Sequence, residues 1–196
     1  MKFSTRIVDQ KIRHYDSFLI NLLLYYDYKS LHPGECIMTS VESLIEELVH
    51  ARQVMRQLLA DLEQTHGTSL ELYPTWTIKE LLSHLAGWDD ACIATLQAVA
   101  VNKTPATPAA RGLDLYNEST VAERADLPLE KIILEWEKTR EIFHQAIRDF
   151  PPDKVDAKFT YAWGSTGNLT TMVKIFAEHE LEHAEEIRKN LDLKET

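Results

Sequence analysis

Four stretches of this chain repeat apolar residues at intervals of three, four and seven, and no run alternates with period two for long. A chain patterned this way buries its hydrophobic surface by packing helices side by side, so the expected class is all α. The first stretch, about 40–64, aligns Leu44, Leu48, Met55, Leu58 and Leu62, with Thr39 or Ser40 as its N-cap. Glu42 or Glu46 then complements the positive end of the helix dipole. The second, 78–100, follows Pro74 and opens with Thr77 and Glu80 at capping-box spacing. The third, 128–150, has Pro128 in its first turn, aligns Leu129, Ile132, Trp136, Phe143 and Ile147, and stops at Pro151-Pro152. The fourth runs from about Asn168 to Leu191, entered from Gly164-Ser165-Thr166-Gly167.

Connection lengths constrain how these helices are joined. About a dozen residues link the first to the second, and under twenty link the third to the fourth, which predicts antiparallel neighbours. The link Val101 to Leu127 is much longer and holds Pro105, Pro108, Gly112 and a polar, helix-compatible piece from Asp114 to Arg124. It can cross the bundle and return the chain for a parallel pairing. The expectation is a four-helix bundle, up-down-down-up, with a long crossover between helices 2 and 3.

At 196 residues and 44% apolar content, one domain with a proper core is the default. A net charge of −10 without any Lys/Arg cluster argues against a nucleic-acid partner, because phosphate neutralisation needs a basic face. Cys36 and Cys92 do not make a disulfide framework and fit a reducing, cytoplasmic setting; Cys92 reads as a small core residue. Residues 1–37 differ in character, with five cations against four anions. Their apolar run, Phe18 to Tyr26, is too short to span a bilayer and is followed by no small-residue cleavage site, so neither a membrane nor a signal peptide is expected. The chain then divides into an N-terminal extension, 1–37, and a bundle, 38–196. The alternative is an amphipathic N-terminal helix that packs on the bundle or on a second copy of the chain, as in a homodimer.

The chemistry-bearing motif is His179-Glu180-Leu181-Glu182-His183 in the last helix. Two histidines four residues apart share one helix face, with Cβ atoms roughly 6 Å apart, and both imidazoles can reach one divalent ion. Their stripe also carries Met172, Phe176 and Ile187, so they point into the core, where Glu80 or Glu186 is a candidate partner. In the second helix the buried stripe reads Leu81, His84 (or Leu85), Trp88 and Cys92. Three neutral imidazoles, His84, His179 and His183, make a sufficient shell for a metal with positions left open. The same five residues satisfy the zincin protease pattern, with Glu180 as general base. That reading needs a third ligand downstream, where Glu186 and Lys189 stand in place of the metzincin Gly and His.

The motif Trp76-x-Ile78-Lys79-Glu80-Leu81-Leu82-x-His84-Leu85-x-x-Trp88 resembles the second-helix signature of the DinB-like (damage-inducible, YfiT-type) metal-binding bundles. His179-x-x-x-His183-x-x-x-Ile187 is similar to their fourth-helix signature, and Asp114-x-x-Asn117 resembles a recurring crossover element. The likeness covers Met38 to about Asn190. Ala184-Glu185 replace the Arg-Gly that commonly follows the last histidine, and residues 1–37 have no counterpart. The resemblance implies one divalent cation on His84, His179 and His183. It also implies a small-molecule substrate and an enzyme of detoxification or stress response, either a transferase or isomerase using a low-molecular-weight thiol, or a hydrolase. Trp88 and Trp163 are candidate walls for an apolar electrophile, against the alternative of plain core residues, and Glu80 or Glu180 could orient a ligand imidazole, against the alternative, which is favoured, of a solvated or capping carboxylate. The competing class is a non-catalytic bundle that the ion, or a bare histidine cluster, only stabilises.

All periodic helices and candidate ligands lie beyond Met38. A chain beginning there is expected to fold and keep its metal; insolubility, or loss of helical circular dichroism, would place residues 1–37 within the core.

Overall fold

The computed structural model describes residues 40–66 and 76–192; Cys36, Thr39 and the apolar run 18–26 lie outside them. The described chain is all α in its main elements: α1 Val41–His66, α2 Ile78–Ala100, α3 Leu113–Ala122, α4 Leu129–Arg148 and α5 Leu169–Asp192. The four long helices match the periodic stretches to within two residues at each end, and α3 is the helical piece of the crossover. A two-residue hairpin, β1 Phe159–Thr160 against β2 Thr166–Gly167, has no signal in the apolar pattern because it is too short to alternate.

Local chemistry fixes the helix starts. The Ser43 N–H donates to Ser40 Oγ at 3.1 Å, which makes Ser40 the cap of α1. At α2 the Thr77 N–H donates to Glu80 Oε2 at 2.7 Å and the Glu80 N–H returns a bond to Thr77 Oγ1 at 3.3 Å. Glu80 is thereby a capping carboxylate. Asn168 Oδ1 accepts from the Thr171 N–H at 2.9 Å to start α5. Gly167 enters that helix because a Cβ there would lie 2.0 Å from the Tyr161 hydroxyl oxygen.

Contacts along the helices give their directions. Lys79 donates to the Ala125 carbonyl near the starts of α2 and α4, and Lys154 donates to the Val99 carbonyl, at 2.8 Å, near their ends, so these two run parallel. Arg148 meets Glu42 at 3.4 Å, placing the end of α4 against the start of α1. Leu44 and Leu48 share a core cluster with Leu169 and Met172, while Met55 and Leu58 share the other with Ala184 and Ile187, so α1 and α5 are parallel. The order is up-down-down-up. The expectation of sequential neighbours holds for direction but not for adjacency. Packing is extensive between α1 and α5 and between α2 and α4, with a smaller α1/α4 contact, so the ring reads α5-α1-α4-α2 and the successive helices α1/α2 and α4/α5 face each other diagonally. The α4/α5 connection therefore runs across an end of the bundle, which its length allows.

The middle of this core is charged. Arg52 of α1, Asp89 of α2, Arg140 of α4 and Glu180 of α5 are each no more than 3% exposed and form one cluster. Arg140 donates through Nε and NH2 to Asp89 at 2.9–3.1 Å, and Arg52 NH2 donates to Asp89 at 3.0 Å. Glu180 takes Arg52 Nε at 2.8 Å and Arg140 NH1 at 2.9 Å, contacts close in distance but poorly aligned as hydrogen bonds. Arg52 also donates to the Trp136 carbonyl and lies 3.9 Å from the centre of its ring.

The crossover helix is seated by a close approach. A Cβ on Gly87 would stand 2.3 Å from Thr120 Cγ2, and the Tyr116 hydroxyl donates to the Gly87 carbonyl at 2.6 Å. Gly87→Ala is expected to destabilise the protein by about 1–3 kcal/mol in urea unfolding, overpacking outweighing the better helix propensity of Ala. Thr120→Ser removes the clashing methyl, so the double variant should recover part of that loss; additive losses would disprove the steric account.

A buried three-histidine centre between α2 and α5

The α2 capping box sets the phase of that helix, and His84 then falls two turns in, on its core side. His179 and His183 occupy successive turns of α5. All three are buried, at 2%, 4% and 4% exposure, and ligating nitrogens from each lie within 4.8 Å of one another, the candidate metal group among the described residues. His84 Nε2 lies 3.2 Å from His179 Nε2, which lies 2.9 Å from His183 Nε2. Zinc–nitrogen bonds near 2.05 Å place ligand nitrogens about 3.3 Å apart in a tetrahedron and about 2.9 Å apart at octahedral right angles. The spacing therefore fits a divalent ion.

Hydrogen bonding alone satisfies the cluster poorly. A neutral imidazole Nε2 carries either one hydrogen or one lone pair. His179 Nε2 touches two other Nε2 atoms, so as a donor it can serve only one of them, and as an acceptor it must divide one lone pair. A cation placed among the three nitrogens would resolve the conflict. Burial, reinforced by the neighbouring imidazoles, holds His84 and His179 well below the ordinary histidine pKa, which keeps those lone pairs free.

The surroundings are aromatic. Trp76, Trp88 and Phe176 pack against the triad, with ring centroids 5.0 and 6.4 Å from His84 for the tryptophans and 6.0 Å from His179 for Phe176. Trp163 stacks behind them, 5.8 Å from Trp88 and 5.2 Å from Phe176, its indole nitrogen buried without a partner. Trp88 and Trp163 are thus core residues and also the wall behind the histidines. From α3, Asn117 accepts the Trp88 indole N–H at 2.9 Å and lies close enough to His84 to favour its protonated form. His183 Nδ1 lies 3.5 Å from Glu186, one of the two partners expected for the pair.

Other candidates separate from the site. Glu180 is fully buried between Arg52 and Arg140, so it is neither a general base nor a solvated or capping carboxylate. A zincin reading of the motif fails on that ground. Glu80 serves Thr77. His50 is exposed, and His144, although buried, lies beside Arg140 and Glu141, with burial and then Arg140 lowering its pKa to about 4. Cys92 is a core residue whose thiol burial pushes up. The reading of the sequence missed Arg52, Asp89 and Arg140. A signal existed: Arg140 falls on the apolar stripe of Trp136, Phe143 and Ile147, where a solvated charge has no place.

Comparison with solved structures bears on the fold. A crystal structure of mycothiol-dependent maleylpyruvate isomerase superposes with a TM-score of 0.58 at 18% identity, over 76% of this chain and 63% of that one. A mutant of that isomerase gives a TM-score of 0.62 at 14% identity and 60% of its chain, so this protein spans less than two thirds of the isomerase. The colibactin self-resistance protein ClbS, solved with double-stranded DNA, gives 0.62 at 16% identity over 79% of this chain and 96% of its own. No curated protein sequence matches. The family model described as the mycothiol maleylpyruvate isomerase N-terminal domain matches residues 48–181, which include His84, His179 and all four members of the buried charge cluster, with His183 two residues beyond. The chain therefore belongs to the mycothiol maleylpyruvate isomerase N-terminal domain family, a group of DinB-like helical bundles.

Proposed function

We propose that the protein is a divalent-metal-dependent enzyme that brings a low-molecular-weight thiol to a small-molecule electrophile. The convergence of three buried imidazoles against an aromatic wall carries the reading, and family membership supports it. His84, His179 and His183 would hold the ion, which when bound supplies Lewis acidity that lowers the pKa of a thiol or of water. The chain's own residues do the rest. Trp76, Trp88 and Phe176 exclude water from the imidazoles, Asn117 steadies Trp88 beside His84, and burial keeps His84 and His179 unprotonated. Hydrolysis by the same centre is the second reading, with water in place of the thiol. A nucleic-acid substrate is not proposed, despite the DNA in the ClbS structure, because this chain's net charge is −10.

Purified without a histidine tag, the protein is expected to carry about one divalent ion per chain. His84→Ala, His179→Ala and His183→Ala should each remove most of it, whereas His50→Ala and His144→Ala should not. Full occupancy in His84→Ala would refute a site shared between α2 and α5. Thiol consumption with a model electrophile should appear only in the metal-loaded form, and its absence with every thiol tested would favour a hydrolase or a non-catalytic bundle. No peptidase activity is expected; metal-dependent cleavage of casein would overturn the class.

Acid should weaken both ion binding and the fold. His84, His179 and His144 are held below the unfolded histidine pKa near 6.5, so the unfolded chain binds more protons as pH falls and stability declines. For His144 that loss runs from about pH 6.5 to its folded value of about 4. In the chelated protein the unfolding midpoint should drop across this window, and a flat profile would contradict the neutral, buried histidines.

A further inference from the structure

Among the described residues, α5 packs extensively only on α1; toward α2, which supplies His84, and toward α4 its backbone contacts are sparse. Side chains rather than close backbone packing therefore set the distance between His84 and the pair on α5, and Trp88 and Phe176 with ring centroids 5.7 Å apart are among them. A polar route spans the gap. Asp89, five residues beyond His84 on α2, binds Arg140 NH2 at 2.9 Å; Arg140 NH1 reaches Glu180 at 2.9 Å; and Glu180 adjoins His179 on α5. Arg52 repeats the span from α1, with NH2 on Asp89 at 3.0 Å and Nε on Glu180 at 2.8 Å. Two planar guanidinium groups thus hold one carboxylate of α2 and one of α5 at a set separation, close in sequence to the histidines those helices contribute.

We propose that Arg140 and Arg52, acting through Asp89 and Glu180, are positioning residues of the histidine centre. The doubled span fixes how far apart α2 and α5 stand, and so holds His84 Nε2 against the His179 and His183 pair at ligand spacing before an ion arrives. The inference rests on the metal reading given above. Its sign separates it from electrostatics: two guanidinium groups and two carboxylates leave the cluster neutral, and Arg140→Met leaves it with one net negative charge. Coulomb attraction alone would then tighten cation binding. Loss of the span loosens it.

The test is a Co2+ titration of the full-length chain after chelation, followed through the visible absorption of the bound ion, with an unfolding curve for each variant. Arg140→Met and Arg52→Met are expected to bind Co2+ about 10–100-fold more weakly than wild type, with altered absorption bands. Arg140→Lys, which keeps the charge but not the planar fork, should fall between and serves as the reading if Arg140→Met does not fold. Ile132→Ala, a truncation in the core of α4, should lose stability yet bind Co2+ with the wild-type spectrum. Unchanged or tighter binding by folded Arg140→Met, or a wild-type affinity and spectrum in Arg140→Lys, overturns the positioning role. Failure of the wild-type protein to bind Co2+ overturns the metal reading, and this inference with it.

Discussion

Two guanidinium groups and two carboxylates lie together at the centre of the bundle, almost without access to water, and each of the four long helices supplies one of them. Taking such groups out of water is expensive, and their attraction repays the cost only when the geometry is good and every charge has a partner. The arrangement is therefore a demanding one. A helix rotated by one residue would turn its charge toward an apolar neighbour and leave the other three unmatched, a far steeper penalty than a hydrophobic core imposes for the same slip. Specificity of arrangement, more than net stability, is what such a cluster contributes.

That specificity matters because the histidine centre lies on the loosest edge of the ring. The tight seams join parallel helices, α1 with α5 and α2 with α4, while α2 and α5 meet across the imidazoles and the aromatic rings behind them. Bulky side chains there keep the backbones apart and leave room for chemistry, which a closely packed seam would not. Imidazole is an uncharged ligand, so an ion held as proposed among the three histidines would keep its full charge and favour an anionic group in an open position. A thiolate would meet that requirement.

Helix positions, the crossover and its short helix were legible because each depends on local signals: 3.6-residue periodicity, Pro breaks and the Thr77 and Glu80 box. His84, His179 and His183 were legible for the same reason, since their place on an apolar stripe says which way they point. Adjacency was not legible, because a loop of a dozen residues fixes direction yet permits either an edge or a diagonal. The charge cluster escaped notice because Arg and Asp are read as surface residues by default, and only the coincidence of Arg140 with the Trp136 and Phe143 stripe argues otherwise. Glu180 was not legible. Neither a solvated or capping carboxylate nor a partner of the flanking imidazoles describes it, because one residue along a helix is a turn of about 100° and carries the side chain to the opposite partners.

Gly87 has a consequence for how a fold of this kind can diversify. By letting α3 rest directly on α2, one turn past His84, it brings the crossover over the histidine centre, where Asn117 reaches Trp88. None of the three histidines and none of the four core charges belongs to the crossover. The segment that roofs the site can therefore change in length and composition independently of the segments that build it. On the proposed reading, reactivity and selectivity are housed in different parts of the chain, and a new substrate would be accommodated by rewriting the roof alone.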